Sequence, residues 1–102
     1  MSGNRVWCRR LKEAREAIGL SQKQLGIKAG LDPSVASTRI NRYELGVHQA
    51  DYQISQKLAE ALELPVAYLY ADDDALAEII LRFWRADAGQ REQLMKAAAR
   101  LA

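Results

Sequence analysis

Apolar side chains recur at intervals of three and four along most of this chain, and no stretch alternates with a period of two. That spacing predicts an all-α fold. Trp7, Leu11, Ala14 and Ile18 form the inward stripe of a first helix over residues 5–18, with residues 1–4 a loose N-terminus. Ser21 supplies a side-chain N-cap for a second helix over residues 22–29, in which Leu25 and Ala29 face inward and Ile27 outward. Gly30 provides the left-handed residue that ends it. Asp32 caps a third helix with Pro33 in its first turn, where no backbone donor is required, and this helix runs to Leu45 before Gly46.

The second half repeats the pattern. Asp51 caps a helix over residues 52–63 with Ile54, Leu58, Ala61 and Leu62 inward, and Pro65 opens a short helix through Val66, Leu69 and Tyr70. A helix over residues 74–86 carries a broad stripe that includes Leu76, Ile79, Ile80, Leu81, Phe83 and Trp84. Ala88-Gly89 breaks it, and residues 90–101 form a last helix with Leu94, Met95, Ala98 and Leu101 on one face. Two units are expected: a five-helix domain over residues 5–71 and a C-terminal helical hairpin over residues 72–102. The width of the stripe favours Leu76, Ile80, Phe83 and Trp84 as a dimer interface over a mere extension of the core.

The third helix has two chemically distinct faces. Ala36, Ile40 and Tyr43 fall inward, with Val35 and Arg39 at the edge; Ser34, Thr38 and Asn41 fall outward, flanked by Ser37 and Arg42. A solvated helix face ordinarily carries long charged residues that favour helix. Short hydroxyls and an amide are poorer helix formers, but they bond base edges and phosphates well. Gly26, in the middle of the preceding helix, costs about 1 kcal/mol relative to alanine, which close approach of the third helix would explain.

Arg15, Ser21-Gln22, Leu25, Gly26, Gly30, Ile40, Tyr43-Glu44 and Gly46 together resemble the helix-turn-helix domain of Xre/Cro/repressor-type regulators, over about residues 9–70. The resemblance implies a five-helix repressor-like domain, duplex DNA as partner, and an ion pair between Arg15 and Glu44. It also implies that Gln22 meets the DNA backbone or a base. The interval from Gly30 to Ile40 is four residues longer than in the common pattern. Four residues are close to one helical turn, so the third helix is expected to gain a turn with its inward face preserved. On this basis Ser34, Ser37, Thr38 and Asn41 are candidate base readers, and Gln22, Lys23, Arg42 and His48 candidate phosphate contacts.

Charge sharpens this division. Residues 1–50 hold nine basic and four acidic side chains, a balance of +5, whereas residues 51–102 hold six and nine, a balance of −3. Polyanion binding belongs to the first half. The single Cys8 excludes an internal disulfide and fits a small core residue. One histidine, His48, makes neither a metal site nor a catalytic dyad, and Asp72-Asp73-Asp74 suits a helix N-terminus better than a cation. No motif for a cofactor or an enzyme is present, and no apolar run spans a membrane, so a cytoplasmic, non-enzymatic protein is expected. The leading expectation is a homodimeric, sequence-specific regulator on a palindromic operator, with polymerase a possible further partner. The alternatives are an antitoxin whose hairpin grips a toxin, and an interaction module without DNA binding.

Overall fold

The computed structural model describes residues 2–101, and every regular element among them is a helix. In order these are α1 (Ser2–Ala17), α2 (Gln22–Lys28), α3 (Ala36–Leu45), α4 (Tyr52–Ala61), α5 (Val66–Tyr70), α6 (Asp74–Arg85) and α7 (Ala88–Ala99). α1 begins three residues before its expected start; Met1, part of the segment expected to be loose, lies outside the described residues.

One core joins the first five helices. Leu11, Leu25, Ile40, Leu58 and Leu69, one from each, are fully buried. Trp7 meets Tyr43 edge-on at 6.2 Å, and the Cys8 thiol donates to the Tyr43 carbonyl oxygen at 3.1 Å. Burial raises the Cys8 pKa above the ordinary thiol value, so it packs as a small apolar side chain. Ile18 does not complete the α1 stripe: the helix ends at Ala17, Gly19 (φ 73°) turns the chain, and Ile18 stays 47% exposed.

Ser21 caps α2 through a capping box in which its hydroxyl accepts from the Gln24 N–H at 3.0 Å and Gln24 Oε1 accepts from the Ser21 N–H at 2.8 Å. Gly26 lies where α2 and α3 cross. A Cβ there would stand 2.6 Å from Ala36 Cβ, which accounts for a glycine in a helix interior.

The entry to α3 corrects the expectation from sequence. Asp32 does not cap the helix. Its carboxylate accepts from the Ser34 N–H at 2.8 Å and the Ser34 hydroxyl at 2.6 Å, and the Val35 N–H reaches the Asp32 carbonyl oxygen at 3.0 Å. Local bonding of this kind competes with helix and favours a turn, with Pro33 at the position where a fixed φ helps. α3 therefore starts at Ala36 and has ten residues; the longer interval after Gly30 goes into the connecting turn, not into another turn of helix.

Asp51 caps α4 as expected, accepting from the Ile54 N–H at 2.8 Å, but α4 stops at Ala61 and Glu63 adopts a left-handed φ of 58°. Asp73 caps α6, and Asp87 caps α7 in a capping box with Gln90. The break in the hairpin thus falls at Ala86-Asp87, and Ala88-Gly89, expected to be the break, opens α7 instead. α6 buries Ala77 against the body, while α7 buries no residue.

A candidate nucleic-acid interface

The α2–α3 corner presents a polar, solvent-facing surface whose geometry is fixed from beneath. Ser37, Thr38, Asn41 and Arg42 are exposed on the outward side of α3, and Ala36, Ile40 and Tyr43 are buried on the other. Leu45, 68% exposed, falls by helical spacing on the same outward side one turn beyond Asn41. Ser34 is exposed but lies in the turn before the helix, its hydroxyl bonded to Asp32, so the structure removes it from the outward helix face. The two bonds from Ser34, the hydroxyl first, hold the Asp32 carboxyl below its ordinary pKa.

Beneath this face runs a chain of polar contacts. Arg15 Nε and Nη2 donate to Glu44 Oε2 and Oε1 at 2.6 and 3.1 Å, a bidentate pair, and Arg15 Nη1 donates to the Leu20 carbonyl oxygen at 2.9 Å. The Glu44 side chain is only 3% exposed. Its hydrogen bond to Arg15 is the chief cause of the raised Arg15 pKa. Gln22 Nε2 then donates to Glu44 Oε1 at 3.0 Å and to Asn41 Oδ1 at 3.1 Å.

This changes the part Gln22 can play. Both side-chain N–H groups are occupied within the protein, and a phosphate offers only acceptors, so its amide cannot donate to the DNA backbone while these bonds stand. It instead joins α2 to α3 and holds the exposed Asn41 through its Oδ1, while Asn41 Nδ2 has no partner among the described contacts. Lys23 is exposed on α2 beside this face, and His48 is exposed in the loop after α3. At the inner edge Arg39 donates to the Tyr43 hydroxyl at 2.6 Å and lies 5.7 Å from its ring centroid.

A second cluster, absent from the sequence reading, fastens the hairpin. Arg10 is 4% exposed; its Nε donates to the Ala71 carbonyl oxygen at 2.9 Å, its Nη2 to Asp74 Oδ1 at 3.0 Å, and its guanidinium lies 5.4 Å from the Tyr68 ring centroid. Arg9 reaches the same Asp74 oxygen at 3.1 Å. Hydrogen bonds from Arg9 and then Arg10 hold the Asp74 carboxyl below its ordinary pKa. Two of the three consecutive aspartates are thereby accounted for as cap and anchor, and no cluster among the described residues has the make-up of a metal site. The available signal for Arg10 was its position three residues after Trp7, on the edge of the buried stripe.

Of the proposed interface residues, Leu76 and Trp84 are exposed and Ile80 and Phe83 partly so; Ile79, left out of that set, is more exposed than either of the first two. No helix among the described residues is long and apolar enough to cross a membrane.

A buried core under a polar third helix, reached through a tight corner from a capped second helix, defines a DNA-binding helix-turn-helix regulator, and the chain belongs to that family. The helix-turn-helix family model matches residues 11–69. The crystal structure of the transcriptional regulator BswR is similar, with a TM-score of 0.84 and 40% sequence identity over 92% of this chain and 93% of that one, so the likeness includes the C-terminal helices. No curated protein matches the chain.

Proposed function

We propose that the protein is a dimeric repressor that acts by occupying a palindromic operator, with α3 of each copy in a major groove. The observation that carries this is the pairing of an exposed polar face on α3 with an internal network, from Arg15 through Glu44 and Gln22, that fixes Asn41. Pre-orientation of a short amide lowers the cost of a base contact. Asn41 Nδ2 donates to a purine N7 or O6 or to thymine O4, Ser37 and Thr38 bond neighbouring edges, and Leu45 offers an apolar contact to a thymine methyl. Lys23, Arg42 and His48 hold phosphates and set the register.

One such helix reads only a few base pairs, too few against the number of competing sites in a genome. Two copies related by a two-fold axis double the contact set, with half-sites about one helical turn apart. The exposed Leu76, Ile79 and Trp84, with the half-buried Ile80 and Phe83 beside them on α6, support the hairpin as the joint. Selection of bound sites from random duplex DNA, followed by transcription in vitro from a promoter carrying the selected site, tests the reading. A palindromic consensus and reduced transcript are expected; asymmetric sites or increased transcript would contradict it.

A further inference from the structure

One cleft is shared between the five-helix body and the hairpin. The exposed Ile18 at the end of α1 and Trp84 of α6 wall a cleft of about 520 Å³ that is floored by the buried Leu62 and Leu64 beyond α4 and carries Glu60 and Glu63 on its rim. The cleft therefore spans the DNA-binding body and the first helix of the hairpin. Arg85 is its only cation.

α7 is the converse shape. It is twelve residues long, about 18 Å at the α-helical rise, and none of its side chains is buried. Helices of that length are marginal in water without tertiary packing, so this one calls for a surface to lie on. Leu94, Met95 and Leu101 are all exposed, beside the small Ala98. Counted with its caps, its charged residues are Arg91, Lys96 and Arg100 against Asp87 and Glu92. Lys96 pairs with Glu92 at 3.3 Å, while Arg100, at the C-cap, has no ion-pair partner among the described residues.

The chain's own α7 is held away from its own cleft. Arg91 Nε and Nη2 donate to the Phe83 and Trp84 carbonyl oxygens at 2.9 and 2.8 Å and fasten the start of α7 to the end of α6. From there α7 diverges, leaving an open groove between Leu81 and Leu94, and the molecule extends 50 Å along its longest axis.

We infer that α7 is an exchanged arm: α7 of a second copy lies in the Ile18–Leu62–Leu64–Trp84 cleft, with its Arg100 against Glu63, and the exchange is reciprocal. This rests on the dimer reading above and adds to it that each hairpin grips the partner's DNA-binding body as well as the partner's hairpin. The arm brings the exposed Leu94 and Met95 and the cationic Arg100 to a cleft walled by Ile18 and Trp84 with an acidic rim. A two-fold axis makes each contact occur twice. The consequence for function is rigidity: two bodies clasped in this way hold the spacing of their α3 helices, and with it the spacing of the half-sites.

The test is sedimentation equilibrium of the full chain and of three variants, each checked for native helicity by circular dichroism. Ile18→Asp places a charge in the cleft at an exposed position at the end of α1, outside the α6 stripe of Leu76, Ile79, Ile80 and Phe83, and is expected to weaken dimerisation at least tenfold. Glu63→Arg is expected to weaken it several-fold, and Glu63→Arg combined with Arg100→Glu to return it to within about threefold of the parent. A dimeric parent whose affinity is unchanged by Ile18→Asp, or whose double variant is no tighter than Glu63→Arg alone, overturns the exchange and leaves a dimer built on α6. A monomeric parent overturns both.

Discussion

At the scale of single residues, Gly26 and Arg15 are the positions on which the corner depends. Gly26→Ala would gain about 1 kcal/mol of helix propensity, but its Cβ would stand 2.6 Å from Ala36 Cβ and 3.0 Å from the Ala36 backbone, which cannot yield as a flexible side chain can. Overpacking of this kind costs about 1–3 kcal/mol, so denaturant titration should show a net loss of stability. Arg15→Met should cost more, roughly 3–5 kcal/mol, because it leaves the almost buried Glu44 without its bidentate partner. Thermal melts of the two variants should keep that order. The Arg15–Glu44 pair was legible in the sequence from helical position and family resemblance together. Gln22 was not: that its amide turns inward to Glu44 and Asn41 depends on the angle at which α2 and α3 cross, which local spacing does not encode.

Among the elements, the helix ends divide sharply into those that could be read and those that could not. Ser21 and Asp51 cap the helices expected of them because the side chain and the N–H it accepts from are three residues apart. Asp32 has the same local appearance, yet its carboxylate closes a turn with Ser34, and the choice between the two outcomes depends on Ala36 packing against Gly26 across the corner. The partners of Arg10 were illegible for a related reason, since Ala71 and Asp74 lie more than sixty residues away. Asp74 now yields a prediction at this scale. Its pKa is depressed in the fold by Arg9 and Arg10, so its contribution is present above the ordinary carboxylate range, near 3.9, and is lost as pH falls through the lowered value. Amide protection in the first turns of α6, taken relative to the free-chain exchange rate at each pH, should fall on that acid descent in the parent. In Asp74→Asn protection should be low already at neutral pH and little changed by acid.

For the whole molecule, charge and shape separate two tasks. The basic first half carries the corner, and the acidic second half carries the projecting hairpin. Lys23→Ala should weaken binding to all duplex sequences about equally and reduce the slope of affinity against salt by about one. Gln22→Ala should act differently, since it frees Asn41 without removing a charge: sequence preference should blur at one base position per half-site while the salt slope stays unchanged. All-α architecture and the helix-turn-helix core were legible from periodicity and from a few spaced residues. The isolation of α7 was not, because its apolar face satisfies the same pattern whether or not anything covers it.

The claim that α3 reads DNA through Asn41 is tested most directly by measuring how Asn41→Ala ranks a set of single-base variants of the selected operator. Loss of discrimination worth roughly 1–3 kcal/mol is expected at one base position in each half-site, with the other positions ranked as in the parent. An unchanged ranking at every position would contradict it.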